Sequence, residues 1–267
     1  MAEVIAFVNH KGGVTKTTSV ANLGPALVER QLRVLLVDAD SQANLTECFG
    51  AEEGRGSRLE DALVAPARRR GEVARRGLAE RAGAGVPGGV DILPCSEELA
   101  DVVAELPRQA GYELALRDAL APLRELYDFI LIDTPPGLGV MSGMALLAAD
   151  SVVIPVRPAD LDVGGAAKVY NLIEESVRGL NPGLDVLGVL VAQAQRRWVL
   201  RRDAHAAIED QGMQALPVEV PFSVRVGAAP RFAAPTFVLE PDGRVAQAYR
   251  KLAEHLAASR AAVEVAA

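Results

Sequence analysis

The chain predicts an α/β fold: one domain over residues 1–267, with a mainly parallel, twisted sheet and helices on both faces. Three observations carry that reading. Short apolar runs of strand length alternate with segments of helical periodicity, the order that gives parallel strands joined by crossover helices. The runs are near-continuous in Val, Ile and Leu, as in strands buried on both faces. Glycine-rich and acidic motifs fall just after those runs, at the strand C-termini, where open α/β sheets bind ligands.

Val4–Val8 is the first strand, and helical spacing from Thr17 to Arg30 follows it. Arg33–Val37 is the second, leading to a short helical piece at Leu45–Phe49. Residues 51–90 are rich in Gly, Ala and Arg and read as a variable surface segment with a helical turn at Glu60–Val64. Arg68, Arg69, Arg70, Arg75, Arg76 and Arg81 cluster there, with Glu72 and Glu80 placed to make mixed pairs on a surface helix. Val90–Pro94 is a strand, with helices near Ser96–Glu105 and Glu113–Glu125. Phe129–Ile132 is the central strand and Ser151–Pro155 another. Helix Leu161–Arg178 stops at Gly179 and the Asn181-Pro182-Gly183 turn. Strand Leu187–Val191, helix Leu200–Gly212 and the short strand Val218–Val220 come next. Pro241 and Asp242 open a last helix to about Ala258, with 259–267 as a frayed tail.

Between the first strand and its helix stands Asn9-His10-Lys11-Gly12-Gly13-Val14-Thr15-Lys16-Thr17-Thr18. Strand, glycine turn, helix is the setting of a phosphate-binding loop. Glycines let backbone N–H groups turn inward around phosphate oxygens. The helix N-terminus adds partial positive charge. Gly12, Gly13, Val14, Thr15, Lys16, Thr17 and Thr18 are therefore the candidate nucleotide contacts. Lys16 can reach the β- and γ-phosphates, and the Thr17 hydroxyl can bind Mg²⁺. Thr15 sets up a conflict. A β-branched residue resists positive φ, so the backbone there either stays at negative φ or is strained.

Two acidic motifs follow. Val34–Val37 ends in Asp38-Ala39-Asp40-Ser41-Gln42-Ala43-Asn44, two carboxylates one residue apart. Phe129–Ile132 ends in Asp133-Thr134-Pro135-Pro136, where Asp133 can hold Mg²⁺ through water. The two prolines stop the strand and forbid a helix directly after it. Gly137-Leu138-Gly139 then forms a flexible loop.

Loop and acidic motifs together resemble the ParA/MinD family of P-loop ATPases, whose loop usually reads K-G-G-V-G-K-T-T. The likeness runs from about residue 4 to about 256 and is weakest across 51–90. It is nearest the short ParA partition proteins without an N-terminal helix-turn-helix domain, because the loop already begins at Lys11. The resemblance implies a P-loop NTPase that takes ATP or ADP with Mg²⁺ and hydrolyses ATP slowly. It gives Lys11, Asp40 and Lys16 catalytic roles. Lys11, the family's signature lysine, reaches across an ATP-dependent homodimer to the nucleotide of the other subunit. Asp40 helps place the attacking water, and only Ser41 departs from the family's D-x-D-P-Q-x-N. Asp38, Asp40 and Gln42 belong to one switch, and Pro135 and Pro136 to a second. Val220-Pro221-Phe222-Ser223-Val224-Arg225 is similar to the family's I-P-R-N-V-R, which adds Pro221 to the nucleotide contacts. Arg197 and Arg225 align with arginines that bind non-specific DNA, and Arg196, Arg201 and Arg202 crowd around the same loop. A ParB-like protein or a cargo adaptor is the implied partner that stimulates hydrolysis. Two alternatives stay open: a nucleotide-dependent binding switch with little turnover, which Thr15 motivates, and a MinD-like spatial regulator.

Composition sets outer bounds. Half the residues are hydrophobic, which excludes overall disorder. No apolar run approaches the roughly 20 residues of a membrane span, and the small-residue C-terminus lacks the aromatic anchors of a membrane-binding helix. A cytoplasmic, nucleoid-associated protein is expected. Net charge is −7, yet only four lysines occur, two of them Lys11 and Lys16, so nearly every other basic position is arginine. Cys48 and Cys95 stand alone, with no C-x-x-C. An iron–sulfur cluster, as some relatives carry between subunits, would need both to face the symmetry axis.

Overall fold

Eight strands align in one sheet because seven apolar runs bury both faces. The strands are β1 (Glu3–Phe7), β2 (Val34–Asp38), β3 (Ala79–Ala82), β4 (Val90–Leu93), β5 (Phe129–Asp133), β6 (Ser151–Val156), β7 (Asp185–Ala194) and β8 (Val220–Pro221). Their spatial order is β3-β4-β2-β5-β1-β6-β7-β8. All pairings are parallel except β3 with β4. The computed structural model describes residues 1–51, 56–82, 89–158, 163–194, 205–224, 226 and 234–266.

Period-two alternation sends successive residues to opposite faces, and here both faces are dry. Val4, Ala6, Leu35, Val37, Ile130 and Ile132 pack on one side. They meet the helices α3 (Leu59–Val64), α4 (Arg70–Arg76), α5 (Leu99–Glu105), α6 (Ala115–Leu120), α7 (Val140–Ala148) and α8 (Val163–Leu172). Ile5, Phe7, Leu36, Phe129 and Leu131 pack on the other. There they meet α1 (Lys16–Val28), α2 (Asn44–Cys48), α10 (Thr236–Leu239) and α11 (Arg244–Ala266). Helical residues 205–210 form α9. The register sets Phe7 and Asp38 each directly opposite Asp133. The three central strands therefore end level, and their loops share one rim.

The structure departs from the sequence reading in four places. Helix α7 was not expected after Pro135-Pro136. Gly137–Gly139 lets the chain turn first, and the helix is apolar around most of its circumference, so it shows no amphipathic stripe. Residues 51–90 are not only surface: Leu59, Leu63 and Ala74 are fully buried. Glu80 and Arg81 lie in β3, not on a helix, whereas Glu72 does pair with Arg69 and Arg76 on α4. Helix α11 continues to Ala266, past the expected end near Ala258.

Helix α4 is pinned to the following layer. The Arg70 guanidinium, 8% exposed, meets Asp118 at 3.0 Å. A Cβ on Gly71 would lie 2.1 Å from Cγ of Pro122, a ring that cannot swing aside. Gly71→Ala should therefore destabilise the fold by about 1–3 kcal/mol, the usual cost of overpacking, read as a lower urea midpoint with unchanged slope.

Candidate nucleotide-binding site

The strand-end rim holds a cleft of about 320 Å³. Gly12, Gly13, Val14, Thr15, Lys16, Thr17 and Thr18 line it, with Asp40, Gln42, Asn44, Pro136 and Gln193. Of the candidate phosphate contacts Lys11–Thr18, all except Lys11 are in that lining, along with the second carboxylate of the D-x-D pair and Pro136. A second recess of about 200 Å³ shares Thr17, Thr18 and Asn44 and continues over Asn22, Pro235 and Thr236. The larger open cleft of about 770 Å³, near Arg33 and Tyr127, lies at the opposite strand ends and contains none of these motifs.

The loop is clamped from several sides. The Asn9 side chain donates to the Pro155 carbonyl at 2.6 Å and accepts the Lys11 N–H at 3.0 Å. The Gly137 N–H donates to the His10 carbonyl at 2.9 Å, tying the loop after Pro136 to the first turn. Gly165, early in α8, packs so closely that a methyl there would meet Asn9 Oδ1 at 2.9 Å. Gly13 takes φ +72°, which glycine allows freely. Thr15 also takes φ +72°, so the conflict seen in the sequence resolves as strain. Its hydroxyl donates to the Val14 carbonyl at 2.5 Å.

Lys16 opens α1 and is 6% exposed. Its ammonium donates to the Lys11 carbonyl at 3.4 Å. Burial lowers its pKa, while the Asp133 and Asp40 carboxylates pull the other way. Lys11 is half-buried at the edge of the loop.

The two aspartates of the acidic motif do different work. Asp38 is fully buried; Oδ2 accepts both the N–H and the hydroxyl of Thr46, each at 2.8 Å. Oδ1 accepts the Asp40 N–H at 3.2 Å. Burial pushes the Asp38 pKa up to about 6 despite these donors. Asp38 is thus the staple that ties α2 to the Asp40 peptide. Asp40 faces the cleft, and its Oδ1 accepts the Gln42 N–H at 3.1 Å.

Asp133 is buried with neither oxygen hydrogen-bonded. Burial raises its pKa, the charge of Asp38 adds to the rise, and the neighbouring Thr17 hydroxyl and Lys16 ammonium oppose it. A carboxylate buried this deeply, with no well-aligned hydrogen bond, is costly unless a cation joins it. The fold therefore fits a divalent cation next to Thr17 and Asp133. Among the described residues no cluster of three or more His, Cys, Asp or Glu side chains forms a metal cage.

Two further neighbours of the loop escaped the sequence reading. Arg157, just past β6, donates to the Gly13 carbonyl at 3.3 Å. Gln193 lines the cleft at a bulge in β7 with φ +55°. Nothing local in either segment marks it, and only the fold brings it to the loop. Pro221 ends β8 and lines neither recess. Arg196, Arg197, Arg201, Arg202 and Arg225 lie outside the described residues. Cys48 and Cys95 are both buried in the chain's own interior, so neither faces outward to share a cluster.

A family model described as an AAA domain matches residues 2–186. The chromosome-partitioning ATPase Soj of Thermus thermophilus is 36% identical, over 95% of each chain. This chain belongs to the ParA family of P-loop ATPases. The chromosome partitioning protein ParA of Caulobacter vibrioides is 34% identical over 95% of this chain and 93% of its own. A solved structure titled cobyrinic acid a,c-diamide synthase from Mycobacterium smegmatis, with bound ADP and magnesium, matches with a TM-score of 0.80. It is 32% identical, covering 96% of this chain and 94% of that one.

The raised pKa of Asp133 has a sign. Its contribution to stability is complete below the unfolded aspartate value and is lost as pH rises through the higher folded value. In nucleotide- and metal-free buffer, Asp133→Asn should therefore raise the melting temperature at pH 7.5. The gain should shrink toward pH 4, and calorimetry across that range checks it.

Proposed function

We propose that this ParA-family ATPase is a nucleotide-timed switch. ATP with Mg²⁺ joins two copies, the dimer binds DNA without reading its sequence, and hydrolysis releases it, so that a chromosome, plasmid or protein cargo is positioned. The observation that carries the reading is the buried set Lys16, Asp38 and Asp133 beneath a glycine loop that bears a second lysine, Lys11. Bound Mg²⁺ would neutralise phosphate charge as it builds during transfer. The protein's own part is to orient the phosphates with loop N–H groups and Lys16, to hold water with Asp40, and to supply Lys11 to the other subunit. A phosphate-facing cation from a second subunit makes turnover depend on association.

DNA binding follows the same logic. Each arginine–phosphate contact adds a salt-dependent increment, and a dimer doubles their number. A few contacts per subunit hold weakly, while twice as many hold firmly, so nucleotide state sets DNA affinity without base readout. A ParB-like protein or cargo adaptor would trigger hydrolysis. No helix among the described residues is long and apolar enough to cross a membrane. The strained Thr15 favours one variant of this reading, a switch that turns over very slowly until stimulated.

Two tests follow. Lys16→Ala should weaken ATP binding by about 10- to 100-fold, the worth of a charge-assisted contact, measured with a fluorescent ATP analogue. Lys11→Ala should keep that affinity but cut Mg²⁺-dependent turnover by about 100-fold or more. A fully active Lys11→Ala protein would end the cross-subunit role. Arg197→Glu combined with Arg225→Glu should still dimerise with ATP yet lose DNA binding. Gel shifts on plasmid DNA across a salt series would show it, and unchanged shifts would return these arginines to a solvated face.

A further inference from the structure

Cys95 reads in the sequence as an isolated thiol with no task. In the structure it sits just past β4, 1% exposed, against the peptide that carries Asp40. Its Sγ–H donates to the Asp40 carbonyl at 3.1 Å. Its N–H donates to Thr46 Oγ1 at 3.2 Å, and that hydroxyl donates on to Asp38 at 2.8 Å. The Asp40 carbonyl also accepts the Ala43 N–H at 2.8 Å, across a turn whose Ala43 has φ +51°. A non-glycine residue at that φ persists only where its surroundings hold it.

Cys95 is itself held from behind. The Arg58 guanidinium donates to the Cys95 carbonyl at 2.9 Å. The Leu59 N–H donates to the Pro94 carbonyl at 2.9 Å, and the Ser96 hydroxyl to Glu60 at 2.5 Å. Three consecutive residues, 58–60, thus grip three consecutive residues, 94–96. The thiol is fixed from one side and fixes Asp40 on the other.

We propose that Cys95 is a positioning residue for ATP hydrolysis: its thiol and N–H set the Asp40 peptide and the Thr46 hydroxyl, and so aim the Asp40 carboxylate into the phosphate cleft. The proposal rests on the reading of Asp40 as the water-placing carboxylate. Aiming matters because a misplaced catalytic group loses rate and leaves ground-state binding largely intact. Deleting the thiol removes one of the two donors to the Asp40 carbonyl and lets the turn relax.

The test compares Cys95→Ala, Cys95→Val and Cys95→Ser with Asp40→Ala in the full chain. Each variant is first checked by thermal melting. Steady-state hydrolysis with Mg²⁺ gives kcat and KM, and a fluorescent ATP analogue gives affinity. Alanine deletes the donor, valine deletes it while keeping bulk, and serine keeps a donor. The expected result is a fall in kcat of about five-fold, the worth of one weak hydrogen bond, in the alanine and valine proteins. Nucleotide affinity should be unchanged, and serine should recover most of the rate. A packing role would instead make valine the mildest change and serine the worst. Unchanged kcat in alanine and valine, a loss confined to KM, or serine no better than alanine would each overturn the proposal. Should Asp40→Ala hydrolyse normally, the Asp40 reading fails and this one with it. Should Asp40→Ala be inactive while Cys95→Ala is normal, only the role of Cys95 fails.

Discussion

Two carboxylates in a dry site repel unless cations or donors offset them, and this molecule is organised around one such pair. Asp38 and Asp133 are register partners on adjacent parallel strands. Both are wholly buried, at the level where the phosphate loop leaves β1. One is quieted by Thr46 and the Asp40 N–H. The other has only a neighbouring lysine and hydroxyl to oppose its desolvation. A sheet with a different register would separate the pair and dissolve the cation-seeking character of the cleft. The parallel alignment of β2, β5 and β1 is therefore the constraint from which the site follows.

Around that pair the loop has little freedom left. Asn9, Gly137, Gly165 and Arg157 come from four separate places in the chain, and each bears on the loop by a hydrogen bond or close approach. Sites built this way on element ends hold their donors in place before a ligand arrives, which is what oriented phosphate recognition needs. The family relatives give the arrangement its class.

Much of this was legible in the sequence, for physical reasons. Buried parallel strands are continuous apolar runs, and a glycine turn between strand and helix has few other uses, so β1, α1, β2 and β5 and their motifs could be placed within a residue or two. Helix α7 could not, because a helix without a polar face has no period to detect. Strand β3 exists only through its antiparallel pairing with β4, a tertiary fact its charged residues do not announce. The division of labour between Asp38 and Asp40 was also hidden. It depends on Thr46, eight residues after Asp38, swinging back to donate twice. Arg157, Gln193 and Cys95 were silent for the same reason: isolated residues acquire meaning only from what the fold sets beside them.

Thr15 carries a backbone cost that the rest of the fold must offset. Its left-handed backbone is held by the start of α1 and by burial of the threonine itself. A conformation of that kind costs on the order of 1–3 kcal/mol. The surrounding structure carries that cost as part of the fold's own stability, so position 15 is a place where the chain gives up stability to keep the turn of the loop.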